Sequence, residues 1–85
     1  MYSLNFTPQG EASFASVDKA ISQQILNKLK WLIQNIDNVN HKKLRRDLAG
    51  LYKLRIGDWR VIYEINQTAR IVTIHKVGHR RDIYK

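Results

Sequence analysis

The chain has no cysteine, one proline, four glycines, and only seven carboxylates against fifteen lysines and arginines. Without cysteine there is neither a disulfide framework nor a zinc ribbon, so stability has to come from packing alone. No stretch approaches the ~18 apolar residues of a membrane span, and Met1-Tyr2-Ser3-Leu4-Asn5-Phe6 lacks the basic flank and long apolar run of a secretory signal. These absences predict a soluble protein of the reducing cytoplasm, with no membrane partner. Its 85 residues support one small core but not two, which predicts a single domain over residues 1–85 without repeats or linkers. Glu64 and Asp82 suggest no catalytic carboxylate pair, and no His/Asp/Glu spacing suggests a metal site. The expectation is that no cofactor is needed.

The excess of positive charge is unevenly placed. Residues 1–40 balance Lys19, Lys28 and Lys30 against Glu11, Asp18 and Asp37, so the whole net charge of +8 falls on residues 41–85. A one-sided basic field favours a polyanion or an acidic protein, although a merely soluble basic surface would look the same from charge alone.

Tyr2, Leu4 and Phe6 alternate with polar residues and open the chain as a short strand. Thr7-Pro8 reads as an N-cap followed by proline at the first helical position, starting a helix through about Ser16. Asp18 can cap a second helix, whose Ile21, Ile25, Leu29, Leu32, Ile33 and Ile36 form a stripe that must be buried. This helix is expected to end near Asp37-Asn38. A basic connector over 39–50 follows, with His41, Lys42, Lys43, Arg45 and Arg46 and a short helical pattern through Leu44 and Leu48. Three strands, about 51–56, 59–66 and 70–77, complete a β-α-α-β-β-β order. That order predicts an α+β fold with two helices on one face of a small antiparallel sheet.

Gly57-Asp58 is the most informative turn, because a two-residue loop with glycine first suits a type II′ hairpin. Counting outward from it, Ile56 opposes Trp59, Arg55 opposes Arg60, Leu54 opposes Val61 and Lys53 opposes Ile62. Two arginines directly opposite should destabilise an ordinary sheet by about 0.2–1 kcal/mol, and an anionic ligand would reverse that sign. A turn near Gln67-Thr68 would place Ile65 opposite Arg70 and Arg60 opposite His75. One face then holds Lys53, Arg55, Arg60 and His75 beside Ile62 and Thr73, while Tyr52, Leu54, Val61, Tyr63, Val72 and Ile74 face the core. Trp59 and Tyr63 read as packing residues. Trp31 lies off the helical stripe, placed to meet the connector or a partner segment.

Three stretches in the same order carry a resemblance: Phe6-Thr7-Pro8, the hairpin from Leu48 to Ile65, and Val77-Gly78-His79-Arg80-Arg81-Asp82-Ile83-Tyr84. The chain resembles toxins of the RelE/ParE superfamily from bacterial type II toxin–antitoxin systems, closer to the RelE mRNA interferases, and the likeness covers nearly its whole length. The superfamily divides between ribosome-dependent mRNA endonucleases and gyrase poisons. In the RelE-type nucleases, basic residues of two strands and an arginine and tyrosine of the tail surround the scissile phosphate, which by position implies Lys53, Arg55, Arg60, Arg80 and Tyr84, with His79 adjacent. Arg55 stands where a lysine is familiar, and its high pKa makes it a phosphate clamp rather than a general acid. The resemblance also implies a small antitoxin encoded beside the toxin, contact with operator DNA only through the antitoxin complex, and the ribosome and mRNA as targets.

RNA can be cut by its own 2′-hydroxyl, which attacks the adjacent phosphate to leave a 2′,3′-cyclic phosphate and a free 5′-hydroxyl. The reaction asks for in-line geometry, stabilisation of added negative charge, a base and an acid, with no protein nucleophile. Arg55, Arg60 and Arg80 can supply the charge, and Lys53 can orient the backbone. Tyr84, which the family favours as base, would have its phenol pKa lowered by a ring of cations, whereas histidine as a side-chain type suits proton transfer near neutral pH and brings in His79. The sequence leaves both open. Lys42, Lys43, Arg45, Arg46, His75 and Arg81 are expected to grip RNA or ribosomal phosphates, although His75 also suits a plain polar sheet face. The competing readings are a ParE-like gyrase inhibitor without chemistry of its own and a DNA-binding module, the latter weakened by a long helix with no recognition face.

Overall fold

A computed structural model of the chain describes residues 1–44 and 50–83. Strand β1 (Ser3–Phe6) leads into helices α1 (Pro8–Ala15) and α2 (Lys19–Gln34). A 3-10 turn (Ile36–Asn38) and four strands follow, β2 (Lys42–Lys43), β3 (Tyr52–Ile56), β4 (Trp59–Asn66) and β5 (Ile71–His79). The five strands form one sheet in the order β1-β5-β4-β3-β2. The α+β architecture and its two helices are those expected, but the sheet is mixed: β2 to β5 are antiparallel to their neighbours, whereas β1 runs parallel to β5 from Ser3↔Ile71 to Phe6↔Ile74. A parallel pair needs a long crossover, which α1, α2 and the intervening strands supply.

Local chemistry explains the helix starts. Thr7 accepts the Gly10 amide proton on its hydroxyl at 2.9 Å, and Pro8 occupies the first turn. Asp18 precedes α2 without a side-chain cap, and Ile25, Leu29 and Leu32 of the expected stripe are fully buried, with Ile36 following in the 3-10 turn. They meet Val61, Tyr63, Val72, Ile74 and Val77 of the sheet in one core. Helix α1 covers the edge of β5 beyond the end of β1. The Thr7 amide donates to the Ile74 carbonyl at 3.0 Å, and the Val77 amide donates to the Ser13 hydroxyl at 2.9 Å. Gly10 permits this approach, since a Cβ there would lie 2.1 Å from the Ile74 carbonyl oxygen.

The hairpin register from Lys53↔Ile62 to Ile56↔Trp59 is the expected one, including Arg55↔Arg60. Gly57 has φ of +60° while Asp58 does not enter the positive range, as a type II′ turn requires. The next register differs from expectation. Ile65 opposes Val72 rather than Arg70, and a β-bulge beside Ile62/Tyr63 inserts His75 into β5, so that Arg60 opposes Gly78 rather than His75. The turn before β5 lies between the paired residues Asn66 and Ile71, with Arg70 in the left-handed region at φ of 56°. The bulge advances β5 by one residue, which brings Val77 to the core face and Gly78 to the basic face. Ile83 then lies over Gly78, with its Cδ1 3.1 Å from where a Cβ would stand, and is only 2% exposed.

The connector was expected as a basic loop with a helical piece. The helix expected to reach Asp37-Asn38 ends at Gln34 and gives way to the 3-10 turn, and the connector then forms the edge strand β2, pairing Lys42 with Lys53 and Lys43 with Tyr52. The pattern through Leu44 and Leu48 lies largely outside the described residues. Among the described residues, no helix is long and apolar enough to cross a membrane.

Candidate functional site

Because β2 pairs only with Tyr52 and Lys53, the rest of β3 borders an open cleft of about 380 Å³. Helix α2 supplies Lys28 and Trp31 to its wall, the connector supplies Val39, Asn40 and Lys42, and β3 and β4 supply Lys53, Leu54, Arg55, Arg60 and Tyr63. Five cations therefore meet one cleft whose described lining holds no carboxylate. A larger depression of about 620 Å³ is lined by Asp37 and Glu64 beside His41 and Tyr52, which makes it a poor host for an anion.

The cations of the cleft are not equivalent. Arg60 donates from one guanidinium nitrogen to the carbonyls of Gly57 at 2.8 Å and Trp59 at 2.9 Å, so it braces the turn that defines the hairpin. Lys53 and Arg55 are exposed, and no hydrogen bond or ion pair holds their head groups among the described residues. Facing charges without a counter-ion are a standing repulsion that a phosphate would relieve.

The tail is drawn to the same hairpin. The Arg80 amide donates to the Asp58 carbonyl at 2.8 Å, and the Arg80 guanidinium lies 3.8 Å from the Asp58 carboxylate. That exposed ion pair contributes little energy by itself. The amides of Asp82 and Ile83 donate to the His79 carbonyl, winding residues 79–83 into a turn that seats Ile83. His79 opposes Trp59, with ring centroids 5.6 Å apart edge to face, and so sits on the strand face away from Arg60. Its Nδ1 accepts the Arg81 amide at 3.2 Å, which leaves the proton of the neutral ring on Nε2.

Among the other expected phosphate ligands, Lys42 joins the cleft, whereas Lys43 is exposed and lies outside its lining. His75 is turned by the bulge onto Glu64, with 2.8 Å between Nε2 and the carboxylate, and is absent from the cleft. Arg81 is exposed on the tail. Arg45, Arg46 and Tyr84 lie outside the described residues. Among the described residues, no group of three or more His, Cys, Asp or Glu side chains is arranged to hold a metal ion.

Two residues, Lys28 and His41, acquire roles that the sequence did not disclose, and Trp31, expected against the connector or a partner segment, lines the cleft with connector residues. Lys28 and Trp31 join the cleft wall, with the Lys28 ammonium 3.9 Å from the indole centroid. His41 fixes the connector. Its Nε2 lies 2.8 Å from the Ile36 carbonyl, which can only accept, so Nδ1 is the acceptor for the Tyr63 hydroxyl at 2.6 Å. Burial first, and then the neighbouring Tyr52, pushes the Tyr63 phenol up to about 12 from 10.0. The neutral phenol is the form the fold favours, so its stabilisation is fully present below pH 10 and is lost as the pH rises toward 12. Denaturant unfolding across this alkaline range should show wild type losing stability more steeply than Tyr63→Phe. Equal slopes would mean that Tyr63 ionises as readily in the folded as in the unfolded chain.

Comparison with known proteins places this geometry. The toxin RelG of Mycobacterium tuberculosis is 46% identical over 44 residues, a match that spans 52% of this chain and 51% of that toxin, so the chain spans about half the length of this curated relative. The M. tuberculosis toxin–antitoxin complex RelBE2 contains a chain that superposes with a TM-score of 0.82 at 29% identity, covering 93% of this chain and 98% of that one. The isolated E. coli RelE toxin gives a TM-score of 0.78 at 20% identity over 93% of this chain and 84% of that one, which is a likeness of fold. The family model described as the ParE toxin of the type II toxin–antitoxin system parDE matches residues 4–84, and a match over nearly the whole sheet-and-helix framework shows that the chain belongs to that family of toxins within the RelE/ParE superfamily.

Proposed function

We propose that this toxin is a ribosome-dependent endoribonuclease that cleaves mRNA in the A site and so stops translation. The observation that carries the reading is the convergence of Lys53, Arg55 and Arg60 on one cleft free of described carboxylates, beside a hairpin turn to which the Arg80 backbone is bonded. In this reading Arg55 and Lys53 hold the scissile phosphate and offset the charge that builds as the 2′-hydroxyl attacks. Arg60 keeps the hairpin in shape and adds its field. The ribosome supplies the in-line conformation of the RNA. A proton leaves the 2′-hydroxyl and another reaches the departing 5′-oxygen. Tyr84 and His79 are the candidate carriers, and the face occupied by the His79 ring, away from Arg60, favours Tyr84.

The partner we assign is a small antitoxin, as in the RelBE complexes with which the fold superposes. An acidic segment of it would neutralise the cleft, and operator DNA would be reached only through the complex. Location in the cytoplasm follows from a ribosomal target.

Purified toxin added to an in vitro translation reaction should produce cuts within translated codons, mapped by primer extension and absent when ribosomes are omitted. Intact message with unimpaired translation would refute the nuclease, and inhibition of gyrase supercoiling by the same preparation would establish the ParE-like alternative.

A further inference from the structure

Trp31 is one of only two large apolar side chains left exposed among the described residues, at 42%. A single exposed apolar residue needs no explanation. Here, however, the indole lines the same cleft as Lys53, Arg55 and Arg60, and Lys28 places its ammonium 3.9 Å from the ring centroid. An aromatic ring with a cation against it, in a cleft of about 380 Å³ that further cations line, complements what one nucleotide of a single strand presents: a π-face and a phosphate. An acidic peptide would use the cations but would leave the indole without a complementary surface.

We infer that Trp31 is a base-stacking platform, backed by Lys28, that holds one nucleotide of single-stranded RNA while Lys42, Lys53 and Arg55 hold its phosphate. This assignment deepens the nuclease reading and rests on it for the identity of the strand. It also gives α2, otherwise a packing helix, a part in substrate binding.

The probe is a 2′-O-methyl oligoadenylate hexamer, which cannot be cut by 2′-hydroxyl attack, titrated into a Trp59→Phe toxin whose remaining indole fluorescence comes from Trp31. The expected result is saturable quenching, with Trp31→Ala weakening affinity, read by competition, about 5- to 150-fold. Trp31→Phe should restore most of the loss. An abasic hexamer of the same backbone should bind wild type and Trp31→Ala alike, because it offers phosphates without a base. A purely structural role for Trp31 would instead weaken both probes together, and that result would overturn the inference. So would equal binding of the abasic and adenylate probes, or quenching by polyglutamate but not by the oligonucleotide. Message cleavage by Trp31→Ala separates the two readings: unimpaired cleavage with unchanged affinity removes the platform and leaves the nuclease, whereas failure of wild type to cut removes the nuclease whatever the fluorescence shows.

Discussion

Gly10→Ala should lower the unfolding free energy by about 3 kcal/mol, at or above the top of the usual range for overpacking a tight site. The sign is informative because helix propensity predicts the reverse, alanine being better than glycine by about 1 kcal/mol in a helix interior. Sterics win here. The new Cβ would stand 2.1 Å from the Ile74 carbonyl oxygen, and that obstacle is backbone in a central strand rather than the end of a mobile side chain. The same carbonyl accepts the Thr7 amide, so α1 cannot withdraw without giving up a bond that ties its start to the sheet. Urea unfolding of wild type and Gly10→Ala measures the difference. A variant as stable as wild type would show that α1 can slide along β5 at little cost.

On the proposed nuclease function, Arg55→Ala should reduce the rate of message cleavage by about 10²–10³ while leaving the fold intact or slightly firmer. The first figure is that for removing one preorganised group aimed at developing charge. The second follows from the pairing of Arg55 with Arg60, since deleting one of two facing guanidiniums removes a repulsion of about 0.2–1 kcal/mol. Arg60→Ala should behave differently. Its guanidinium holds the Gly57 and Trp59 carbonyls, so activity and stability fall together. Single-turnover primer extension beside thermal melts of the two variants tests the contrast. Loss of stability in Arg55→Ala equal to that in Arg60→Ala would show that both arginines serve the hairpin rather than a phosphate.

The two registers of the sheet show what the sequence could and could not disclose. Gly57-Asp58 admits one turn geometry, so the pairing of Arg55 with Arg60 can be counted directly from residue identities. The turn before β5 has no such marker, and a bulge is invisible to strict alternation. A trace of it does exist in the apolar spacing Val72, Ile74, Val77, where the step of two becomes three, and His75 is the surplus residue. The parallel pairing of β1 also left no local signal, because its partner lies far along the chain and no turn connects the two. For the site, basic strand residues could be read from the hairpin alone. Trp31 could be read only in part, as a residue off the stripe placed to meet the connector, and Lys28 could not, because only the packing of α2 beside β3 brings both to the cleft. His41 was hidden for a related reason, since its two partners, Ile36 and Tyr63, come from different elements.

The strand order carries a kinetic consequence. Every side chain described in the cleft comes from residues 28–63, within helix α2, the connector and the β3–β4 hairpin. The bond between β1 and β5, by contrast, joins residues 3–6 to residues 71–74 and closes the longest loop in the sheet. Loop closure over such a span is the slow, entropically unfavourable event in folding, whereas short hairpins form early. The binding surface can therefore assemble before the domain is locked, and substitutions at the β1–β5 seam should govern how much folded toxin accumulates while leaving the cleft of each folded molecule unchanged.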